Sequence, residues 1–267
     1  SKILVKTGDS KKTLAEIKIL KVFLSQSNFF DKNNMNIHKI LINEANFSLL
    51  ANDLKLLNDF RSKNFSNKKI EITDSIFFLK DGLGEIISII QMDKAISFFD
   101  NKKLLNFFDL KGKVFNVPFT LNLISGNNPN KHEMINFNFK SLKLDISNKF
   151  AEQKNKLING DNIISSLNSK IKTKYNIKEK LIIFSSYNSR LNNVKVRYNG
   201  KISTDPFDLD LNIYLNNYKI SKLYNINPIL INFIQSGLLF NENISLNTSV
   251  IINSNIKNAI FHNAKIN

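Results

Sequence analysis

The sequence contains no cysteine and no tryptophan, and it has only 8 glycines and 4 prolines among 267 residues. The absence of cysteine excludes disulfides, thiolate metal ligands and cysteine nucleophiles. No run of about 18 or more consecutive apolar residues is present, so nothing in the sequence spans a bilayer as a helix. The first residues, SKILVKTGDSKK, lack the apolar stretch of a secretory signal.

Positive charge is in excess, with a formal net charge of +16 and a pI near 9.8. Such a balance is typical of proteins that bind nucleic acid or anionic lipid. The lysines are scattered, however, and only the stretch 170–180 is mildly dense in them. The abundance of Lys, Asn and Ile also follows from AT-rich codons. Nucleic acid is therefore disfavoured as a partner, and weak attraction to anionic headgroups is favoured over it.

Alternation of apolar and polar residues dominates the chain and predicts strands. It is cleanest in Phe207–Leu215, where Phe, Leu and Ile alternate with Asp, Asn and Tyr. One apolar and one polar face favour antiparallel pairing, because strands of a parallel sheet are apolar throughout. Further strands are predicted at 17–23, 70–80, 85–90, 137–146 (with one shift of phase), 194–202 and 244–252.

Helical patterns are few. Helical spacing of apolar residues predicts short helices at 228–235, where Asn227 and Pro228 provide a start, and at 53–60. A weaker pattern covers 102–108. The Gly82-Leu83-Gly84 stretch predicts a hairpin, because no helix start or Lys-Ser/Thr pair follows it as in a phosphate-binding loop.

Two similar stretches, GKVFNVPFTLNL at 112–123 and GKISTDPFDLDL at 200–211, carry a quarter of the glycines and half of the prolines. Gly permits a turn or a tight entry, and Pro belongs at an edge, a bulge or a strand start. Each copy predicts a strand, a bend at Pro and a second strand, and two copies indicate a repeated unit. We predict a first β-rich unit at 1–146, an uncertain connecting segment at 147–176 and a second β-rich unit at 177–267.

The apolar residues of these stretches must pack against other apolar groups. One possibility is a closed core. The other is an open groove that contacts acyl chains, at about 0.8 kcal/mol for each buried CH₂. Few helices are available to cover such a sheet, which favours the groove. The predicted lipid-binding residues are Phe119, Leu121, Leu123, Phe207, Leu209, Leu211, Ile213 and Leu215.

The sequence offers little for catalysis. The histidines His38, His132 and His262 lack metal-ligand spacing. Asp208 and Asp210 share a strand face, as many solvated carboxylates do, and no Gly-x-Ser-x-Gly elbow occurs. We predict a protein that is not an enzyme and that uses no metal and no cofactor.

The chain resembles the AsmA-like family of bacterial envelope proteins. The resemblance rests on the two Gly-Lys-(four residues)-Pro-Phe stretches, on ILINEANFSLL at 40–50, on KKIEITDSIFFLKD at 68–81, and on FFDNKKLLNFFDLKGKVFNVPF at 98–119. It covers about residues 15–125 and 190–265.

The resemblance implies an elongated, twisted antiparallel sheet with a few short helices and an exposed hydrophobic groove. It also implies a periplasmic protein of outer-membrane biogenesis that moves phospholipid. Such proteins are tethered to the inner membrane, here by a segment outside this chain, and other envelope proteins are expected partners. Two alternatives stay open: a structural or adhesin-like envelope β protein with a closed core, and a cationic nucleic-acid binder.

Overall fold

The fold is mostly β, as the alternation predicts. The computed structural model describes residues 3–6, 13–25, 36–50, 64–80, 84–126, 133–152, 157–204, 207–215, 218–219, 252–257 and 260–266. Antiparallel pairing predominates in this part, which confirms the predicted fold class. The predicted helices at 53–60 and 228–235 and most of the predicted strand at 244–252 lie outside the described residues.

The chain divides into two units, residues 1–128 and 129–267. The described strands of the first unit are β1 (Ile3–Lys6), β2 (Thr13–Leu24), β3 (Ile37–Leu50), β4 (Lys69–Lys80), β5 (Ile86–Asp100), β6 (Leu105–Val114) and β7 (Val117–Ser125). Each pairs with the next along the chain, antiparallel except for the parallel pair β3–β4. The β4–β5 hairpin contains Gly84, at a φ of 91°, as the Gly-Leu-Gly stretch predicts.

The second unit continues with more antiparallel strands. These are β8 (Glu133–Phe139), β9 (Leu144–Glu152), β10 (Ile158–Ser166), β11 (Ser169–Lys178), β12 (Leu181–Ser186), β13 (Ser189–Leu191), β14 (Val194–Thr204), β15 (Phe207–Leu215), β16 (Tyr218–Lys219), β17 (Ile252–Lys257) and β18 (Ile260–Ile266). Strands β8 to β11 pair in chain order, β12 and β13 lie between β11 and β14, and β14 pairs with β15. β18 pairs with β15, β16 and β17.

The stretch 147–176, for which the sequence left a strand pair or a loop open, consists mainly of strand. It contains the end of β9, all of β10 and most of β11. The shift of phase inside 137–146 is a hairpin turn, with a short 3₁₀ turn at Lys140–Leu142 and Lys143 at a positive φ of 48°.

The predicted helix at 102–108 is wrong. Residues 101–104 form the turn between β5 and β6, and β6 begins at Leu105. The carboxylate of Asp100 accepts hydrogen bonds from the backbone N–H of Lys102 at 2.9 Å and of Lys103 at 3.1 Å. The bonds from Lys103 and Lys102 hold the pKa of Asp100 below its ordinary value. This local side-chain bonding offers the backbone an alternative to the helix.

A β-bulge shifts the alternation inside β5. Met92 lies opposite Gly112, and Ala95 lies opposite Leu110. One residue separates the two partners on β6, but two residues separate Met92 from Ala95. The extra residue is Asp93, and the apolar face changes from even to odd residue numbers there. A bulge of this kind bends a strand.

Irregular backbone continues across the neighbouring strands at the same level. Asp74 on β4 lies between Thr73, which faces Lys94, and Ser75, which faces Met92. Asp74 and Glu44, its counterpart on β3, have positive φ angles of 48° and 53°. The two neighbouring residues of the apolar face are joined by a hydrogen bond from the Ala45 N–H to Ser75 Oγ, at 3.0 Å. Glu44, Asp74 and the bulged Asp93 therefore lie at the same level of three neighbouring strands.

The glycines of the repeated stretches lie inside strands and not at the turns. The turn after Gly112 is formed by Phe115 and Asn116, both at positive φ. A Cβ on Gly112 would overlap the carbonyl oxygen of Gln91, so this position needs glycine for close backbone approach. Gly200 likewise lies within β14. Pro118 is the second residue of β7, which fits a strand start, but the bend predicted at Pro lies before it, at Phe115 and Asn116.

Candidate functional site

The predicted residues Phe119, Leu121 and Leu123 lie on one face of β7. Their cross-strand partners on β6 are Gly112, Leu110 and Phe108, respectively. Phe119 is buried, while Leu121 and Leu123 are half-buried.

Phe119 belongs to a row that crosses six strands of the first unit. The described members of this row are all buried: Ile17, Ala45, Ser75, Met92, Gly112 and Phe119. The row contains both large and small side chains, and the large ones shield the small ones from solvent. Ala45 is 1% exposed for this reason, and the cluster of Ala15, Ile17 and Ala45 is also contacted by Ile42 and Phe47.

The chain segment before β4 is fixed by buried polar groups on β6 and β7. The Phe65 N–H donates to Asn106 Oδ1 at 2.8 Å, and Asn106 Nδ2 donates to Ser125 Oγ at 3.3 Å. The Phe99 N–H donates to the carbonyl of Ser66 at 2.8 Å. Asn106 lies on the same strand face as Leu110, so this segment covers one end of the first unit's apolar face.

The other predicted residues lie on β15 in the second unit. Leu209, Leu211 and Ile213 have Ile202, Gly200 and Tyr198 as their cross-strand partners. Leu211 and Ile213 are half-buried, and Leu209 is 47% exposed. Phe207 and Leu215 pair with Thr204 and Val196, but the surroundings of their side chains lie outside what the structure describes.

Sequence analysis missed most of the apolar face to which Leu209 belongs. Cross-strand pairing places four isoleucines and Leu209 in one row over five strands: Ile158, Ile177, Ile182, Ile202 and Leu209. The isoleucines are all half-buried. Alternation of Ile with Lys and Asn along β11 was the available signal. The row forms a hydrocarbon surface that remains partly accessible.

A polar row runs through the same face. Its cross-strand members are Asn148, Asn162, Thr173 and Ser186, and Ser186 Oγ accepts a hydrogen bond from the Tyr198 N–H at 2.8 Å. Thr173 Oγ1 and the Tyr198 hydroxyl are hydrogen-bonded to each other.

The hydroxyl of Tyr175 donates to Asn148 Oδ1 at 2.9 Å. Burial raises the pKa of Tyr175 above its ordinary value, so the phenol stays protonated and keeps this bond at neutral pH. The second unit therefore combines apolar rows with a hydrogen-bonded polar one.

Three cavities are lined by residues other than the eight predicted lipid-binding residues. A cavity of about 500 Å³ is bordered by Leu14, Leu49, Leu50, Phe78 and Ile86, among others, at one end of the first unit. In the second unit, a cavity of about 370 Å³ borders Lys170 and Arg190, and one of about 400 Å³ borders Arg197 and Tyr214.

The polar face of the first unit holds a nearly buried ion pair. Glu71, whose side chain is only 11% exposed, contacts Lys39 Nζ at 2.6 Å and Lys94 Nζ at 3.3 Å. The hydrogen bond from Lys39, aided by Lys94, lowers the pKa of Glu71 despite the opposing effect of burial. The two lysines therefore favour the charged form of the Glu71 carboxylate.

The structure brings no metal-binding cluster together in the part of the chain that it describes. His38 is exposed, and the side chains of His132 and His262 lie outside that part. Asp208 and Asp210 are exposed on the polar face of β15, where Asp210 lies 3.8 Å from Lys201.

Within the described ranges, no helix has the length and apolar character needed to cross a membrane. No family model, curated protein or solved structure matches the chain.

Proposed function

We propose that this protein is a non-enzymatic component of the bacterial cell envelope that contacts phospholipid acyl chains along the apolar face of its second unit. This agrees with its resemblance to AsmA-like proteins and implies a role in lipid movement during outer-membrane biogenesis. The chain would work in the periplasm, tethered to the inner membrane by a segment outside it. Its partners would be phospholipids and other envelope proteins.

The observation that carries the proposal is the accessibility of an apolar row. Leu209 is 47% exposed, and its row of isoleucines is only half-buried. Contiguous apolar surface of this kind is costly in water and marks sites that contact apolar partners. Acyl chains fit it, because they gain about 0.8 kcal/mol for each CH₂ removed from water and require no directional bonds.

The test is native mass spectrometry of the purified chain, followed by extraction and identification of bound lipid. We expect phospholipid at a defined stoichiometry with the unmodified chain. The double variant Leu209→Asp/Leu211→Asp should lose the lipid, because both substitutions put charge on the apolar face. Tyr214→Asp is the matched control, since Tyr214 lies on the polar face of the same strand and is 41% exposed. It should keep the lipid.

A chain that carries no lipid, and also fails to take it up from vesicles, would contradict the proposal. Unfolding of the double variant would point to a closed core and thus to a structural role. Circular dichroism of both variants separates loss of fold from loss of lipid.

A further inference from the structure

A cationic pocket lies on the second unit, at the break between β12 and β13. It has a volume of about 370 Å³, and its lining residues are Lys170, Lys172, Asn188, Ser189, Arg190 and Lys195. Four of these six side chains are positively charged, and none of them is negatively charged.

Three of the cations form one cross-strand row. Arg190 on β13 lies directly opposite Lys170 on one side and Lys195 on the other. Like charges directly opposite one another destabilise a sheet. Among the residues that the structure describes, none of the four pocket cations has a carboxylate within salt-bridge distance. The row therefore concentrates positive charge without a counterion from the protein.

Two carboxylates lie on the same face as the pocket. Asp161 lies between Lys149 and Lys174, its direct cross-strand partners. It also lies near Tyr187, whose pKa is raised by burial and by the Asp161 carboxylate. Asp145 lies two strands away from Lys170 in the same row and accepts a hydrogen bond from Asn138 Nδ2.

The pocket wall is built by a β-bulge. Thr173 faces Ser186 and Lys170 faces Arg190, so three residues of the β12–β13 side oppose two residues of β11. Asn188, in the bulge, has a positive φ of 47°. Bulges are frequent next to functional sites, where they redirect side chains.

Hydrogen bonds fix this bulge against β11. Ser189, which is 1% exposed, accepts from the Lys172 N–H at 2.9 Å and donates to the Lys172 carbonyl at 3.0 Å. The Tyr187 N–H donates to the same carbonyl at 3.0 Å. The ammonium of Lys172 lies 5.7 Å from the centre of the Tyr187 ring. The pocket is thus held in place before any ligand arrives.

We propose that this pocket binds the phosphate group of a small anion or of a lipid headgroup. Arg190 can bind two phosphate oxygens at once, and the lysines supply point charges around it. The four cations alternate along their strands with residues of the apolar face. The pocket therefore opens on the opposite, polar face, and it does not depend on acyl-chain binding.

The test compares two double variants of the full chain that each lose two positive charges. Arg190→Gln/Lys195→Gln changes the pocket. Lys111→Gln/Lys113→Gln changes two exposed lysines on the polar face of the first unit. Calorimetric titration with inorganic pyrophosphate should show the pocket variant weakened by about tenfold or more, as expected when charge-assisted hydrogen bonds are lost. The matched control should change by less than about twofold, because only distant, screened charge is removed.

Thermal unfolding provides a second readout. Without phosphate, the pocket variant should melt at the same temperature as the unmodified chain or higher, because a like-charge row has been relieved. Pyrophosphate should raise the melting temperature of the unmodified chain and not that of the pocket variant. Lys195→Gln alone, a change at an exposed position, should show the same trend to a smaller degree.

Flotation with phosphatidylglycerol or phosphatidylcholine vesicles distinguishes the two phosphate sources. Pyrophosphate binding without vesicle binding supports a free phosphate compound, and pocket-dependent vesicle binding supports a headgroup. Equal loss in both double variants would overturn the proposal in favour of general charge. Pocket-dependent binding of a single-stranded oligonucleotide, without any pyrophosphate binding, would overturn it in favour of nucleic acid.

Discussion

The two units differ in how far the side chains on the main apolar face of their sheets are shielded from water. The first unit interleaves large and small side chains, so that a whole row from Ile17 to Phe119 is buried. In the second unit, the comparable row from Ile158 to Leu209 stays half-buried or exposed, and a polar row runs beside it. Similar alternation in sequence can thus produce a shielded row or an accessible one. The difference lies in which residues meet across strands.

A charge placed on the apolar face of each unit should give the largest difference in stability between the two units. Ile17→Asp buries a carboxylate without a partner and should lower the free energy of unfolding by more than about 3 kcal/mol. Leu209→Asp puts the same group at a partly exposed position and should cost less than about 1 kcal/mol. Urea unfolding followed by circular dichroism measures both. Equal losses would mean that both faces are core.

Glycine-to-alanine substitutions compare how closely the backbone is approached in the two units. A Cβ on Gly112 would meet the carbonyl of Gln91, whereas a Cβ on Gly160 would meet the ring of Tyr175, a side chain that can rotate away. Gly112→Ala should therefore cost about 3 kcal/mol and Gly160→Ala about 1 kcal/mol. The melting temperatures of the two variants show which substitution destabilises the fold more. A lower melting temperature for Gly160→Ala than for Gly112→Ala would contradict the close approach of Gly112 to the Gln91 carbonyl.

The alternation along single strands was predictable from sequence, and the relations between strands were not. Phe207–Leu215 was predicted with the bounds that β15 has, because its polar and apolar residues alternate without interruption. The bulge at Asp93 and the positive φ angles of Glu44 and Asp74 were not foreseen. A change in which residue numbers are apolar can be interpreted only when the register of the neighbouring strands is known.

The cationic pocket could not be predicted from the sequence for the same reason. Lys170 and Arg190 are far apart in sequence and meet only through the β11–β13 pairing. The apolar face of the predicted lipid-binding residues could be deduced from their alternation. Its degree of exposure depends on which side chains lie opposite and could not be deduced.

Removing the ion pairs of the first unit should have the smallest effects on stability, and these effects depend on pH. Glu71→Gln should cost about 1–3 kcal/mol, because it removes charge-assisted bonds to Lys39 and Lys94 from a nearly buried site. Glu44→Gln is the matched exposed change, at a glutamate that pairs with Lys18 and is 43% exposed, and it should cost about 0–1 kcal/mol.

The pH dependence of the Glu71 effect follows from its pKa, which lies below the ordinary 4.5 in the folded state. The ion pairs then stabilise the fold fully above pH 4.5, and the stabilisation is lost as the pH falls through the lowered pKa. The stability difference between the unmodified chain and Glu71→Gln should therefore shrink in acid. A difference that grows in acid would contradict the assignment.

The most direct test of the central claim, that the apolar face of the second unit is open, uses the absence of cysteine. A single cysteine at position 209 or 119 can be labelled with a maleimide without interference from any other thiol. Leu209→Cys should react at a rate close to that of the urea-unfolded chain, and phospholipid vesicles should slow the reaction. Phe119→Cys should react slowly in either condition. If Leu209→Cys is as protected as Phe119→Cys in the absence of lipid, the face is closed and the account is contradicted.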